Sequence, residues 1–195
     1  MSKYEYSNEI VDVVKKFLAD DDWNYFFDEE TGLFHFGLRI RSKIQKLNYV
    51  IDVHEDEIVT YGISPVAADS DDPEMMRRMA EFICRVNYGL KNGCFELDFE
   101  DGEIRFRSFI DCKGLLPSME VVKNSVGCAA IMFELYASGM VDIIFGGASA
   151  RDAIARCEEA TAEKFCSVLE EALGGDGSDQ PHVRMDLFEA EGSEA

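Results

Sequence analysis

The stretch from Arg85 to Arg107 constrains this chain more than any other. It runs Arg85-Val86-Asn87-Tyr88-Gly89-Leu90, then Gly93-Cys94-Phe95-Glu96-Leu97-Asp98, then Asp101-Gly102-Glu103-Ile104-Arg105-Phe106-Arg107. The pattern joins the end of a helix to a tight β-hairpin. Asp-Gly between two alternating runs favours a two-residue type I′ turn, because glycine takes the positive φ at little cost. With Asp101-Gly102 as the loop, Leu97 faces Phe106, Asp98 faces Arg105 and Glu96 faces Arg107. One side of the hairpin is then apolar and the other carries two pairs of opposite charge, each contributing about 0.2–1 kcal/mol at an exposed site. Glu96, Asp98, Arg105 and Arg107 are therefore the candidate interaction surface; the alternative is the solvated side of a one-sided antiparallel sheet.

Period-two and helical patterning supply the other elements. Residues 7–19 read as a helix capped by Ser7, with Ile10, Val11, Val14, Phe17 and Leu18 as one stripe. Trp23 to Phe27 is an aromatic segment, either an edge strand or a loop over the core. Three strands follow, Leu33–Ile40, Leu47–His54 and Glu57–Ile63, each with one buried and one wet face. Asp72 caps a second helix with Pro73 at its first position. Met75, Met76, Met79, Phe82, Ile83, Val86 and Leu90 form its stripe, read as core. A further helix begins at Leu115-Leu116-Pro117-Ser118 and runs to Leu135 or beyond, with Gly139 bending or ending it. The arc from Val121 to Leu135 is too wide for a lone surface helix and implies burial on more than one side, within the fold or at a dimer contact. Ser149 to Asp152 opens a last helix that ends near Leu173. The fold class is α+β, with an antiparallel sheet of about five strands whose apolar face is covered by helices.

The motif RVNYGLKNGCFELDFEDGEIRFR resembles the YbjN-like family of bacterial proteins, catalogued as sensory transduction regulators. Weaker similarity covers Tyr49–Pro65 and Leu116–Ala153, and so most of residues 33–155. Cys94 stands where the family pattern has Asn. The resemblance implies a fold like that of type III secretion chaperones and a regulatory role, and it brings no catalytic residues.

Size and charge bound the rest. At 195 residues one domain over residues 1–173 is the default, followed by an acidic, Gly-containing tail at 174–195 expected to be disordered. The net charge of −20, from 19 basic and 39 acidic side chains, repels phosphate backbones and anionic lipid, so neither nucleic acid nor membrane is an expected partner. No apolar run approaches 18 residues, and the N-terminus lacks the basic and apolar regions of a secretory signal. The six cysteines fall singly in helices and strands, which fits reduced thiols in a cytoplasmic protein.

Chemistry is hard to place. His35 and His54 lie opposite the main apolar faces, where neighbouring strands could bring them to one metal, but no ligand-spaced cysteine supports them. The Asp20-Asp22-Asn24-Asp28 series has Tyr25 where a calcium loop needs glycine. Gly146-Gly147 before a helix lacks a full phosphate-loop pattern. No residue is assigned a catalytic, metal-binding or cofactor-binding role, and no cofactor is expected. The reading is a noncatalytic protein-binding module, chaperone-like or regulatory, with an unidentified protein partner and a homodimeric state. The alternatives are a small-ligand sensor with a pocket between the sheet and the C-terminal helices, and an unrecognised enzyme. Removing residues 174–195 is expected to leave the melting temperature nearly unchanged, because their composition cannot offset the entropy of ordering them; thermal unfolding of the truncated protein measures this.

Overall fold

The computed structural model describes residues 5–174, so the tail at 175–195 lies outside the described residues. The protein divides into two compact units at Thr161 and Ala162. The first carries the α+β fold. Its elements run α1 (Asn8–Asp20), β1 (Phe26–Asp28), β2 (Leu33–Arg39), β3 (Lys46–Val53), β4 (Glu57–Ile63), α2 (Pro73–Tyr88), β5 (Cys94–Leu97), β6 (Ile104–Asp111), α3 (Met119–Gly146) and α4 (Ala150–Gly174). The described side chains of the second unit, Ala162, Glu163, Lys164 and Cys166, are exposed on the continuation of α4.

The six strands form one antiparallel sheet in the order β1-β2-β3-β4-β6-β5. The sixth strand is β1, from the aromatic segment. It pairs Phe27 with Phe34, and the two rings lie 4.5 Å apart. Helix starts follow local chemistry. Ser7 Oγ accepts from Ile10 N–H, Asp72 Oδ1 from Glu74 and Met75 N–H, and Ser118 Oγ from Val121 N–H. Each satisfies an N–H that the first helical turn leaves open.

The inner face of the sheet carries Phe34, Phe36, Leu47, Tyr49, Ile51, Val53, Ile58, Phe95, Ile104 and Phe106, all buried with the apolar stripes of α1, α2 and α3 in one core. α3 lies close to the sheet because the residues beneath it are small. A Cβ on Gly62 would sit 2.7 Å from Ala129 Cβ. Ser108 Oγ lies 2.7 Å from Ser125 Oγ, and Tyr49 Oη donates to the Val126 carbonyl at 3.0 Å. Thr60 Oγ1, buried in the same region, has no protein partner.

Two expectations are corrected here. α3 runs through Gly139 and does not end there; the missing side chain admits Phe82 and Cys157 within 3 Å of where a Cβ would stand, so the glycine serves a close packing contact. α3 is also long and apolar enough to cross a membrane by length and composition, with mean hydropathy 1.6. Lys123, Glu134 and Asp142 interrupt it, so no continuous apolar run shows in the sequence. Its buried side chains, Val122, Val126, Met132, Phe133, Met140 and Ile143 among them, make it the helix at the centre of the core.

The hairpin register also differs from expectation. Glu96 pairs with Arg105, Cys94 with Arg107, and Leu97 with Ile104. The loop is wider than two residues: Asp98 N–H donates to the Glu103 carbonyl and Gly102 N–H to the Asp98 carbonyl. Repulsion between Glu100 and Glu103, which a two-residue turn would set face to face, disfavours the tighter form. Gly102 takes φ +76°, and a Cβ there would lie 1.9 Å from the Ala68 carbonyl oxygen. Gly102→Val is expected to cost on the order of 1–2 kcal/mol for the backbone alone and more for the clash; urea unfolding measures the loss.

Candidate interaction face

Alternation along each strand puts a second set of side chains on the outer face of the sheet. One row crosses all six strands: Phe26, His35, Val50, Tyr61, Arg107 and Cys94. A neighbouring row holds Gly37, Asn48, Ile63, Arg105 and Glu96, and the row on the other side holds Leu33, Asp52, Val59 and Phe109. Val50, Val59, Tyr61, Ile63 and Phe109 belong neither to the buried core nor to the half-buried shell packed against it. Phe26 is 65% exposed and Phe109 47%. Among the described residues, then, the outer face is an uncovered sheet surface with an apolar middle.

Its charged part is ordered. Glu96 accepts from Arg105 Nε at 2.8 Å and from Arg107 Nε at 2.6 Å. The Arg105 guanidinium lies 4.7 Å from the centre of the Tyr61 ring, and its Nη1 is 3.6 Å from Glu103. Burial is the largest single influence on the Glu96 carboxyl and raises its pKa, but the hydrogen bonds and charges of Arg107 and Arg105 together outweigh it and hold the group below the usual carboxylate value. Three of the four residues expected on this surface are therefore brought together. Asp98 is not among the ion pairs. It lies beyond the last β5 pair, where its carboxylate accepts from Glu100 N–H and caps the loop. A depression of about 320 Å³ beside the cluster is lined by Glu96, Leu97, Asp98, Phe99, Glu103 and Arg105.

His35 and His54 do not share a site. His35 pairs with Val50, four residues from His54 in sequence, and its ring lies 6.4 Å from that of Phe26. His54 Nε2 sits 3.2 Å from Asp52 and 4.0 Å from Glu57. Among the described residues no three His, Cys, Asp or Glu side chains are grouped to hold a metal, and the hydrogen bonds join no hydroxyl or thiol to an imidazole. The space between the sheet and the helices is filled by Phe82, Phe95, Phe133 and Met140, all at most 2% exposed. A second depression, about 500 Å³, lies outside it between α1 and the segment before α3, lined by Glu9, Asp12, Val13, Lys16, Leu116, Pro117 and Met119.

Sequence reasoning missed Val50, Val59, Tyr61, Ile63 and Phe109 as surface groups. The signal was present, since β-branched and aromatic residues occupy both phases of these strands and not one. It also missed Asn87. The Asn87 amide donates to the Phe95 carbonyl at 2.9 Å and accepts from Phe95 N–H at 2.8 Å. Those two groups face away from β6, on the open edge of β5, so the amide fills the place of a neighbouring strand.

No protein-family model matches the sequence, and no curated protein does. Three solved structures are similar. The crystal structure of YbjN, a putative transcription regulator from E. coli, is 13% identical over 62% of this chain and 86% of that one, with a TM-score of 0.46. The ExoT–SpcS complex from Pseudomonas aeruginosa is 12% identical over 66% of this chain and 97% of that one, with a TM-score of 0.42. The ExsC–ExsE complex is 11% identical over 68% of this chain and 93% of that one, with a TM-score of 0.47. At such identities and TM-scores the likenesses assign neither a partner nor a function.

Two outcomes are expected at this face and its edge. Asn87→Ala leaves the Phe95 N–H and C=O open and removes two hydrogen bonds, so stability falls by about 1–3 kcal/mol, with light scattering rising as the edge becomes available; urea unfolding and scattering read the two effects. For Glu96 the folded pKa lies below the unfolded one, so its contribution is present above the unfolded value of about 4.5 and is lost as pH falls through the folded value. Glu96→Gln is therefore less stable than the parent near neutral pH, and the difference disappears in acid; thermal unfolding across a pH series measures it.

Proposed function

We propose that the protein is a noncatalytic protein-binding module, chaperone-like or regulatory, acting in the cytoplasm as a homodimer. The observation that supports this reading is the uncovered outer face of the sheet. It combines exposed Phe26 and Phe109 and half-buried Val50, Val59, Tyr61 and Ile63 with a fixed Arg–Glu–Arg cluster, and such faces on soluble proteins mark contact surfaces. An enzyme needs a nucleophile and base, or a metal, in reach of a cleft; His35 and His54 have aromatic and carboxylate neighbours instead. A small-ligand sensor of the kind expected from the sequence needs room between the sheet and the C-terminal helices, where large side chains are packed.

Light scattering over a concentration series tests the assembly and is expected to give about twice the 22.0 kDa protomer mass. A single species at the protomer mass throughout would remove the homodimer. Turnover of a small molecule abolished by one polar substitution would remove the binding-module reading.

A further inference from the structure

The charges on the outer face are sorted by end. Toward the β3–β4 turn lie Asp28, Asp52, Glu57 and Asp111, with His54 between Asp52 and Glu57. At the opposite end lie Arg39 and Lys46, paired across β2 and β3. Arg105 and Arg107 stand on that side along β6, formally balanced by Glu96 and Glu103, so the net positive charge of this end comes from Arg39 and Lys46. Lys46 is on this face, since a Cβ on Gly37 would meet its side chain at 2.6 Å. Between the ends runs the apolar middle of Val50, Val59, Tyr61, Ile63 and Phe109.

We propose that this face is an isologous dimer interface, on which a second copy of the protein stacks so that the acidic end of each sheet lies against the basic end of the other. The inference rests on the homodimeric reading above and names its surface. A two-fold axis in the plane of the interface, perpendicular to the strands, inverts each strand upon itself in the partner. Asp52 at one end of β3 then meets the partner copy's Lys46 at the other end of β3, and the Asp111 end of β6 meets the Arg105 end. Tyr61 and Val50, near the axis, stack on their own counterparts. Two copies at −20 each repel through most of their surface, so association needs a patch where unlike charges face each other. This face provides that without any second protein.

Preorganisation and size agree. Glu96 holds both guanidinium groups and Tyr61 backs one, so little side-chain freedom is lost on contact. Four strands of seven or eight residues and two of three or four, about 4.8 Å apart, give a plan area on the order of 500 Å². With upright side chains its accessible area comes within reach of the roughly 800 Å² per partner of a standard interface.

The test is sedimentation velocity of the full-length protein and two charge-reversed forms, Asp52→Lys/Glu57→Lys and Arg39→Glu/Lys46→Glu, with circular dichroism and melting confirming that each folds. The parent is expected to be a dimer whose dissociation constant rises about tenfold or more between about 0.1 M and 1 M salt. Each reversed form alone presents like charge at both ends of β3, which the two-fold axis sets against each other, and is expected to be monomeric where the parent is dimeric. An equimolar mixture, in which every end again meets its opposite, is expected to restore a 1:1 dimer. If the parent is dimeric and either form alone is equally dimeric, or if the mixture stays monomeric, the interface lies elsewhere; the proposal falls and the homodimer stands. If the parent is monomeric at every concentration, both fall. Binding of a different protein to this face in place of a second copy also overturns the proposal while leaving the binding-module reading intact.

Discussion

The close seat of α3 on the sheet is the contact on which the rest of the structure depends. It exists because Gly62 has no Cβ to strike Ala129 and because Thr60, Ser108 and Ser125 are short. The polar groups trapped there are mostly satisfied locally, Ser108 by Ser125 and Tyr49 by the Val126 carbonyl. Burial pushes the Tyr49 phenol far above its ordinary pKa, so it remains a donor. α1 and α2 pack on α3, and Gly139 lets Phe82 and Cys157 close on its far end. A larger residue at Gly62 would lift α3 and loosen each of these contacts together, because interiors at crystal-like density have no slack to absorb a methyl group.

Among the described residues, that arrangement puts the helix packing on one side of the sheet. A six-stranded sheet covered on one side only must make its other face soluble or give it a partner. Here the outer face carries charge at both ends and apolar groups between. The protein's acidity works with this, since a strong net negative charge discourages indiscriminate contact and leaves association to places where the local pattern reverses it.

Much of the fold was legible because its local signals agree with its long-range ones. Ser7, Asp72-Pro73 and Ser118 announce their helices by cap chemistry that needs no tertiary partner, and the alternation in β2, β3 and β4 locates their buried faces. The hairpin register was not legible. Its loop width reflects the Glu100–Glu103 repulsion, a local signal that allows a frayed or bulged turn without fixing the register, and the approach of Ala68 to Gly102, a contact between residues far apart in sequence that no local pattern contains. Gly139 misled for a similar reason, since a glycine that admits neighbours reads the same as one that breaks a helix. For the candidate site, Glu96, Arg105 and Arg107 were visible as alternating charges. The apolar residues beside them were not, because period-two reasoning assigns such residues to a single buried side.

The Asn87 amide on the edge of β5 has a chemical consequence as well as a structural one. It works because a carboxamide carries a donor and an acceptor side by side, as a peptide group does. Hydrolysis of that amide would leave an aspartate, which offers acceptors only. It would still take the Phe95 N–H but would face the Phe95 carbonyl with like charge. The closure of one side of the sheet is thereby tied to a single carbon–nitrogen bond in the asparagine, whose loss would open the sheet at β5.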